Sequence, residues 1–251
     1  MNKIVVVDDK TKDIKLSDNI EFHIETYDTL FSITNVGIEV KNDESLFLFI
    51  SSNDKKYRVN IDIAKDTHAN LYIFEKVIDS KVQYSFTLGE NANVLIKHFN
   101  KNSLSKQMIE ANLIGTDCCF NYEIRKICNN KDTIDFYIHH CGEGSISKLG
   151  GAIISLANSA INAQLSTFVE EECNNANSFQ QLNLLKMGGA KTEIKPNLYI
   201  DNNTATINHN NNISVIDDFI ESDFMINDIY DKNLKEEIII FLDRIGGLEN
   251  E

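Results

Sequence analysis

Tryptophan is absent from the 251 residues, and proline occurs once, at Pro196, where about 5% would be usual. Glycine is also sparse at 11 copies, and neither Asn-Gly nor Asp-Gly occurs anywhere. Those dipeptides are the favoured centres of tight hairpins, so their absence argues against a sandwich or up-and-down barrel built from many two-residue turns. Basic side chains are outnumbered, 24 against 38 acidic, for a net charge of −14. That balance argues against a surface for nucleic acid or anionic membrane, whose phosphates are held by Lys and Arg clusters. No stretch approaches the ~18 apolar residues of a membrane helix. The opening MNKIVVVDDK reaches Asp8 and Asp9 too soon to read as a secretory signal, and the expectation is a cytoplasmic protein. The five cysteines, Cys118, Cys119, Cys128, Cys141 and Cys173, are odd in number and form no CxxC pair. Neither a disulfide framework nor a closed zinc site is indicated, and free thiols are expected.

What the chain does have is 42% hydrophobic content, enough for a sizeable core, and 31 asparagines. Ile4-Val5-Val6-Val7-Asp8-Asp9 has the look of a receiver-domain strand with its acidic pair, but the helix that reading requires does not follow. Short runs rich in Ile, Phe and Val come instead, at Ile20 to Thr26, Leu30 to Val40 and Leu46 to Ile50, and continue to His209. Alternation is frequent, as in Phe120-Asn121-Tyr122-Glu123-Ile124-Arg125, which places apolar and polar side chains on opposite faces of a strand. Polar clusters such as Asn91-Ala92-Asn93, Asn129-Asn130 and Asn174-Asn175-Ala176-Asn177 separate the runs. Asparagine tolerates the left-handed backbone that a corner needs. Many short strands, few hairpin signals and Asn-rich corners favour a mainly β fold of the solenoid type, although no fixed repeat period is visible.

The pattern changes after residue 216. Leu234, Ile238, Phe241, Leu242 and Ile245 recur at helical spacing, with Gly246-Gly247 as a stop. Phe219, Ile220, Phe224, Met225 and Ile229 form a shorter apolar set, with Asp217 as a candidate cap. The division expected is a β-domain over 1–216 and a helical tail over 217–251, which either covers the end of the β-structure or docks a partner.

Three segments, in order, carry a family likeness: His140-Cys141-Gly142-Glu143-Gly144-Ser145-Ile146-Ser147, then Ser178-Phe179-Gln180-Gln181-Leu182-Asn183-Leu184-Leu185, then Lys195-Pro196-Asn197-Leu198-Tyr199-Ile200 with Ala205, His209, Ile216 and Asp217. They resemble the core of the SufB/SufD proteins, scaffold subunits of iron-sulfur cluster assembly, over about 80 residues. The resemblance implies a right-handed parallel β-helix with a short C-terminal helical region. It also implies dimerisation with a SufB/SufD-like paralogue or with itself, and an ABC-type ATPase bound through Phe219, Phe224, Met225, Ile229, Leu234, Ile238 and Phe241. The chain has no GxxxxGK[ST] loop, so an intrinsic nucleotide site and enzyme activity are not expected. Asn210-Asn211-Asn212 follow His209 where the family usually has Gly-Ala-Thr or Glu-Ala-Thr. No cysteine lies beyond Cys173, which makes the SufD-like branch the closer fit.

Iron-sulfur clusters take thiolate ligands, with imidazole as a weaker substitute suited to transfer. On the resemblance, His209 is the candidate cluster ligand at a dimer interface. Cys118, Cys119 and His140 are further candidate ligands for a transient cluster. His139 and His140 are adjacent on a strand, as are Cys118 and Cys119, so only one of each pair can face a site. Contiguous acids such as Glu170-Glu171-Glu172 read as a solvated face. The rival reading, a β-helical carbohydrate-active enzyme, requires acids on successive coils and commonly aromatic platforms.

Overall fold

The structure is a computed structural model and describes residues 3–7, 14–15, 20–27, 33–53, 55–102, 104–171, 173–186, 188–201 and 205–217. The chain divides into two compact units, 1–218 and 219–251. The described residues all belong to the first, so the tail set from Phe219 to Phe241 lies outside them.

Seventeen strands follow one another: β1 (Lys3–Val7), β2 (Ile14–Lys15), β3 (Ile20–Tyr27), β4 (Ile33–Val40), β5 (Glu44–Asn53), β6 (Lys56–Ile63), β7 (His68–Ile78), β8 (Lys81–Leu88), β9 (Asn93–Asn102), β10 (Lys106–Leu113), β11 (Cys119–Cys128), β12 (Lys131–His140), β13 (Ile146–Ser155), β14 (Ala160–Val169), β15 (Ala176–Lys186), β16 (Lys191–Ile200) and β17 (Ile207–Asp217). They form a nine-stranded sheet, β17-β15-β13-β11-β9-β7-β5-β1-β2, and an eight-stranded sheet, β16-β14-β12-β10-β8-β6-β4-β3. From β4 onward the chain alternates between the sheets and every pairing is parallel; only β1 with β2 and β3 with β4 run antiparallel. This is a parallel β-solenoid of about six turns, the mainly β class read from the sequence.

Alternation decides what faces inward. Phe120, Tyr122, Ile124 and Lys126 of β11 are fully buried, while Asn121, Glu123 and Arg125 between them are partly exposed. The inner faces of both sheets merge into one core, with an aromatic centre in which Phe86 lies 5.5 Å from Phe120 and Tyr122 lies 5.6 Å from Phe136. Burial of such rings is the main stabilising term, at roughly 25 cal/mol per Å² of apolar surface.

The corners make the stacking possible. Asp66, Asn91, Asp117, Gly144 and Asn175 all have φ between 53° and 67° and occupy equivalent corners of successive coils. Their stacking is direct: Asp66 N–H donates to Glu90 O, Asn91 N–H to Thr116 O, Asp117 N–H to Glu143 O and Gly144 N–H to Asn174 O. Asn and Asp reach this left-handed region at lower cost than other L-residues. Gly89, Gly115 and Gly142 stack just before them. A Cβ on Gly115 would lie 2.1 Å from the Glu90 nitrogen, and one on Gly142 2.0 Å from the Gly115 carbonyl oxygen, so at these two coils the corner has no room for a side chain. The interval between register partners grows along the fold. Ile33 pairs with Lys56, Glu44 with Ala69, Cys119 with Ile146 and Ala176 with Ile207. A repeat that lengthens in this way has no constant period to find in the sequence.

Gly115→Ala is expected to lower unfolding free energy by more than about 2 kcal/mol, because rigid backbone blocks the new methyl group. Gly188→Ala, with nothing within 4 Å of its Cβ, should stay within about 0.5 kcal/mol of the parent. Urea denaturation of the two variants compares them directly.

Candidate functional site

The expected ligands fall near one corner of the solenoid, where the eight-stranded sheet hands the chain to the nine-stranded one. His140 ends β12 facing inward and is fully buried. Its Nδ1 lies 2.8 Å from the Ser145 hydroxyl and its Nε2 2.9 Å from the Ser147 hydroxyl, so both ring nitrogens are engaged. Burial pushes its pKa down to about 4, and the neighbouring His209 and His139 oppose its charging further. His139 points the other way, as strand alternation requires. It stacks on Phe168 at 4.5 Å, Phe168 stacks on Tyr199 at 4.8 Å, and its Nδ1 lies 3.3 Å from Glu170.

His209 is in β17, in register with Ser178, which is in register with Ser147. The ladder therefore links the two inward histidines through a column of serines. His209 is half-buried, its pKa is lowered by burial, and its Nδ1 is shielded from solvent without a hydrogen-bond partner. The fully buried Ser178 hydroxyl and the Gln180 side-chain oxygen lack partners too, although the Gln180 amide donates to Thr167 at 2.9 Å. Three unsatisfied polar atoms within two strands mark the end of the lumen as polar, and such groups cost about 1–3 kcal/mol each until something pairs with them.

Cys118 and Cys119 diverge as expected. Cys118 is buried in the corner, with its pKa pushed up to about 12 by burial, and Cys119 is partly exposed. Burial raises the Cys119 thiol too, and Lys148 partly offsets the rise. The electrostatic neighbour of Cys118 on the next coil is Cys141, and that of Cys141 is Cys173. Cys173 donates to Gly142 O at 3.3 Å and lies 4.0 Å from the Ser145 hydroxyl. Cys141 and Cys173, absent from the expected ligands, thus sit closer to His140 along the same corner. Their signal in the sequence was weak, because loop lengths of five and six residues hide that they occupy stacked corners. Among the described residues no three His, Cys, Asp or Glu side chains converge closely enough to hold a metal ion.

Reasoning from sequence also missed a buried polar chain between the sheets. Glu75 accepts from the Tyr84 hydroxyl and from the Gln107 amide, the latter at 2.7 Å, and lies 3.4 Å from His98 Nε2. His98 Nδ1 hydrogen-bonds the Tyr122 hydroxyl. Lys126 Nζ reaches Gln107 at 3.0 Å, Asn100 at 3.2 Å and Asp132 at 3.2 Å, and Ser105 donates to Asp132 from both its backbone and its hydroxyl. Burial and the Glu75 carboxylate together push the Tyr84 and Tyr122 phenols well up. The sequence signal was alternation itself: Lys126 continues the inward series of Tyr122 and Ile124.

No family model matches the chain, and no curated protein matches it.

His140 carries a pH dependence. Its folded pKa of about 4 lies below the ordinary 6.5, so between those values the unfolded chain binds a proton that the folded chain refuses. Stability should be fully present above about pH 6.5 and fall by roughly 3 kcal/mol as pH drops toward 4. Urea midpoints across this range should show the loss in the parent and a flatter profile in His140→Gln. For the thiols, alkylation with a maleimide at pH 7.5 should modify Cys119 and Cys141 before Cys118, Cys128 and Cys173, as read by peptide mass spectrometry.

Proposed function

We propose that this protein is a non-catalytic scaffold subunit of a SUF-type iron-sulfur cluster assembly complex. In this reading the β-solenoid pairs end to end with a SufB/SufD-like paralogue or a second copy, and the segment after Asp217 binds an ABC-type ATPase. The family resemblance supplies the pathway. The observation that carries the reading structurally is the terminal coil.

Among the described residues, β16 and β17 are the last strands of their sheets, and each has a paired neighbour on one side. A sheet edge is ordinarily shielded or paired. Here it carries Leu198, Tyr199 and Ile200, each 40–48% exposed. Among the described residues the His139–Phe168–Tyr199 stack ends at Tyr199. Just inside the same edge lie His209 Nδ1 and the Ser178 hydroxyl, both unsatisfied. An end that is apolar at its rim and polar within suits a subunit partner that seals the rim and leaves a small polar chamber. A neutral imidazole with an unused nitrogen is a labile ligand for iron, fitting for cargo that must leave.

Anaerobic reconstitution with iron and sulfide, with and without the ATPase, tests the proposal by absorbance and native mass. The expected outcome is a dimer with cluster absorbance that His209→Ala reduces by half or more while its melting temperature stays within a few degrees of the parent. Tyr199→Lys should leave a monomer, and truncation after Asp218 should abolish co-purification with the ATPase. A monomeric parent without cluster absorbance, or unchanged cluster content in His209→Ala, would sink the assignment of this end.

A further inference from the structure

A second feature lies on the outer face of the nine-stranded sheet, over β15 and β17. Ser178, Gln180 and Leu182 of β15 are buried and face the lumen, so Asn177, Phe179 and Gln181 between them face out. Their register partners in β17 are Asn208, Asn210 and Asn212. Phe179 is 37% exposed, and Gln181, Asn208, Asn210 and Asn212 are exposed around it. One aromatic ring therefore stands among amide side chains. Asn210 lies directly across from it, Asn177 and Gln181 lie two residues away along its own strand, and Asn208 and Asn212 occupy the diagonals.

The amides are not spent on one another. Asn177 donates to the Asn175 carbonyl oxygen at 3.1 Å, but among the described residues Gln181, Asn208, Asn210 and Asn212 make no side-chain hydrogen bond. An asparagine ladder serving only to hold coils together would pair these groups from strand to strand. The outward residues of β17 from Asn208 to Ser214 carry no charge. On the other side of the ring, the partner of Phe179 in β13 is Lys148. Gly150, the partner of Gln181, has no side chain, which lowers the surface diagonally beside the ring.

We propose that this face binds a neutral saccharide, with one pyranose ring stacked on Phe179 and its hydroxyls held by the surrounding amides. A pyranose has an apolar C–H face and a rim of hydroxyls, each at once donor and acceptor. An aromatic ring matches the first, and a carboxamide, with two N–H donors and an acceptor oxygen, matches the second. Neighbouring strands stand about 4.8 Å apart and alternate residues along a strand about 6.6 Å, so amides on three sides are within reach of a sugar over Phe179. A nucleotide, also planar and amide-matched, would bring phosphates to strands whose outward residues here are uncharged. The residues around the ring on these strands include no carboxylate, so the site holds a sugar without cleaving it. This inference is independent of the scaffold reading and uses none of its residues.

Titration of the full chain with maltohexaose, cellohexaose, mannohexaose and chitohexaose, followed by saturation-transfer NMR, tests it, with adenosine as the comparison ligand. At least one hexasaccharide should bind, with saturation reaching its ring protons. Phe179→Ala should weaken that binding about tenfold or more, and Phe179→Tyr should retain it. Phe179→Leu, apolar but without a ring face, should lose as much as the alanine variant. Asn210→Ala should cost about threefold or more. Ile114→Ala, at a corner where the side chain is 56% exposed, should leave binding unchanged. Cooperative urea unfolding of each variant separates lost binding from lost fold. Binding of none of the saccharides, equal binding by Phe179→Ala, or preference for adenosine would each overturn the proposal. A native mass that falls from dimer to monomer in Phe179→Ala, with no saccharide bound by the parent, would assign the face to a second copy and overturn it too.

Discussion

Each coil of this protein donates and accepts backbone hydrogen bonds to the coils on either side, in register and in parallel, and the other structural features answer to that ladder. A parallel ladder cannot be closed by hairpins; the chain must travel round and arrive one strand spacing along. Two corners per coil perform this return. One is held by a column of left-handed Asp, Asn and Gly residues whose amides bond to the corner above. Gly89, Gly115 and Gly142 permit the closest approach of backbone to backbone in the same corner. The corners also absorb the growth of the coil, since the connection between β4 and β5 takes residues 41–43 while that between β16 and β17 takes residues 201–206. Register in the sheets is preserved because each parallel ladder runs without a gap.

The same ladder sorts the interior into zones. Inward rows run straight through successive coils, so a row can be followed from one chemical character to another. The row containing Val94 and Phe120 becomes Ser147, Ser178 and His209. The row containing Glu75, Asn100 and Lys126 carries charge through the middle of the lumen before returning to Ile153 and Leu184. Buried charges are tolerated there because Lys126 faces Asp132, Gln107 and Asn100, and breaking one partner would leave the others desolvated. In the middle network His98 Nε2 and Asp132 Oδ2 lack hydrogen bonds but lie against Glu75 and Lys126, whereas His209, Ser178 and Gln180 of the terminal coil each leave an atom without a hydrogen-bond partner.

Much of the strand pattern could be read from residues alone, because alternation is a local signal. Tyr57 to Ile63, Val82 to Leu88 and Ile161 to Val169 each match an observed strand to within a residue. The stretch before Gly151 was harder: β13 begins at Ile146, but its two adjacent glycines interrupt the apolar alternation. The divergence of His139 from His140 and of Cys118 from Cys119 also followed from strand geometry. The neighbours of those residues did not. Cys141 and Cys173 belong to corners 31 residues apart along the nine-stranded register, and only the stacking of coils makes them adjacent.

By itself the sequence determined the β class, the use of Asn and Asp at corners and the inward set of each strand, since these depend on backbone preference and a two-residue period. Only the tertiary structure decided which strand lies beside which, because the register interval lengthens from coil to coil and no local property encodes it. For that reason the serine column joining His140 to His209, the inward Lys126 network and the amides around Phe179 became visible once the coils were stacked. A row across a solenoid is a relation between residues about 25 to 31 positions apart, and it exists only when the ladder has closed.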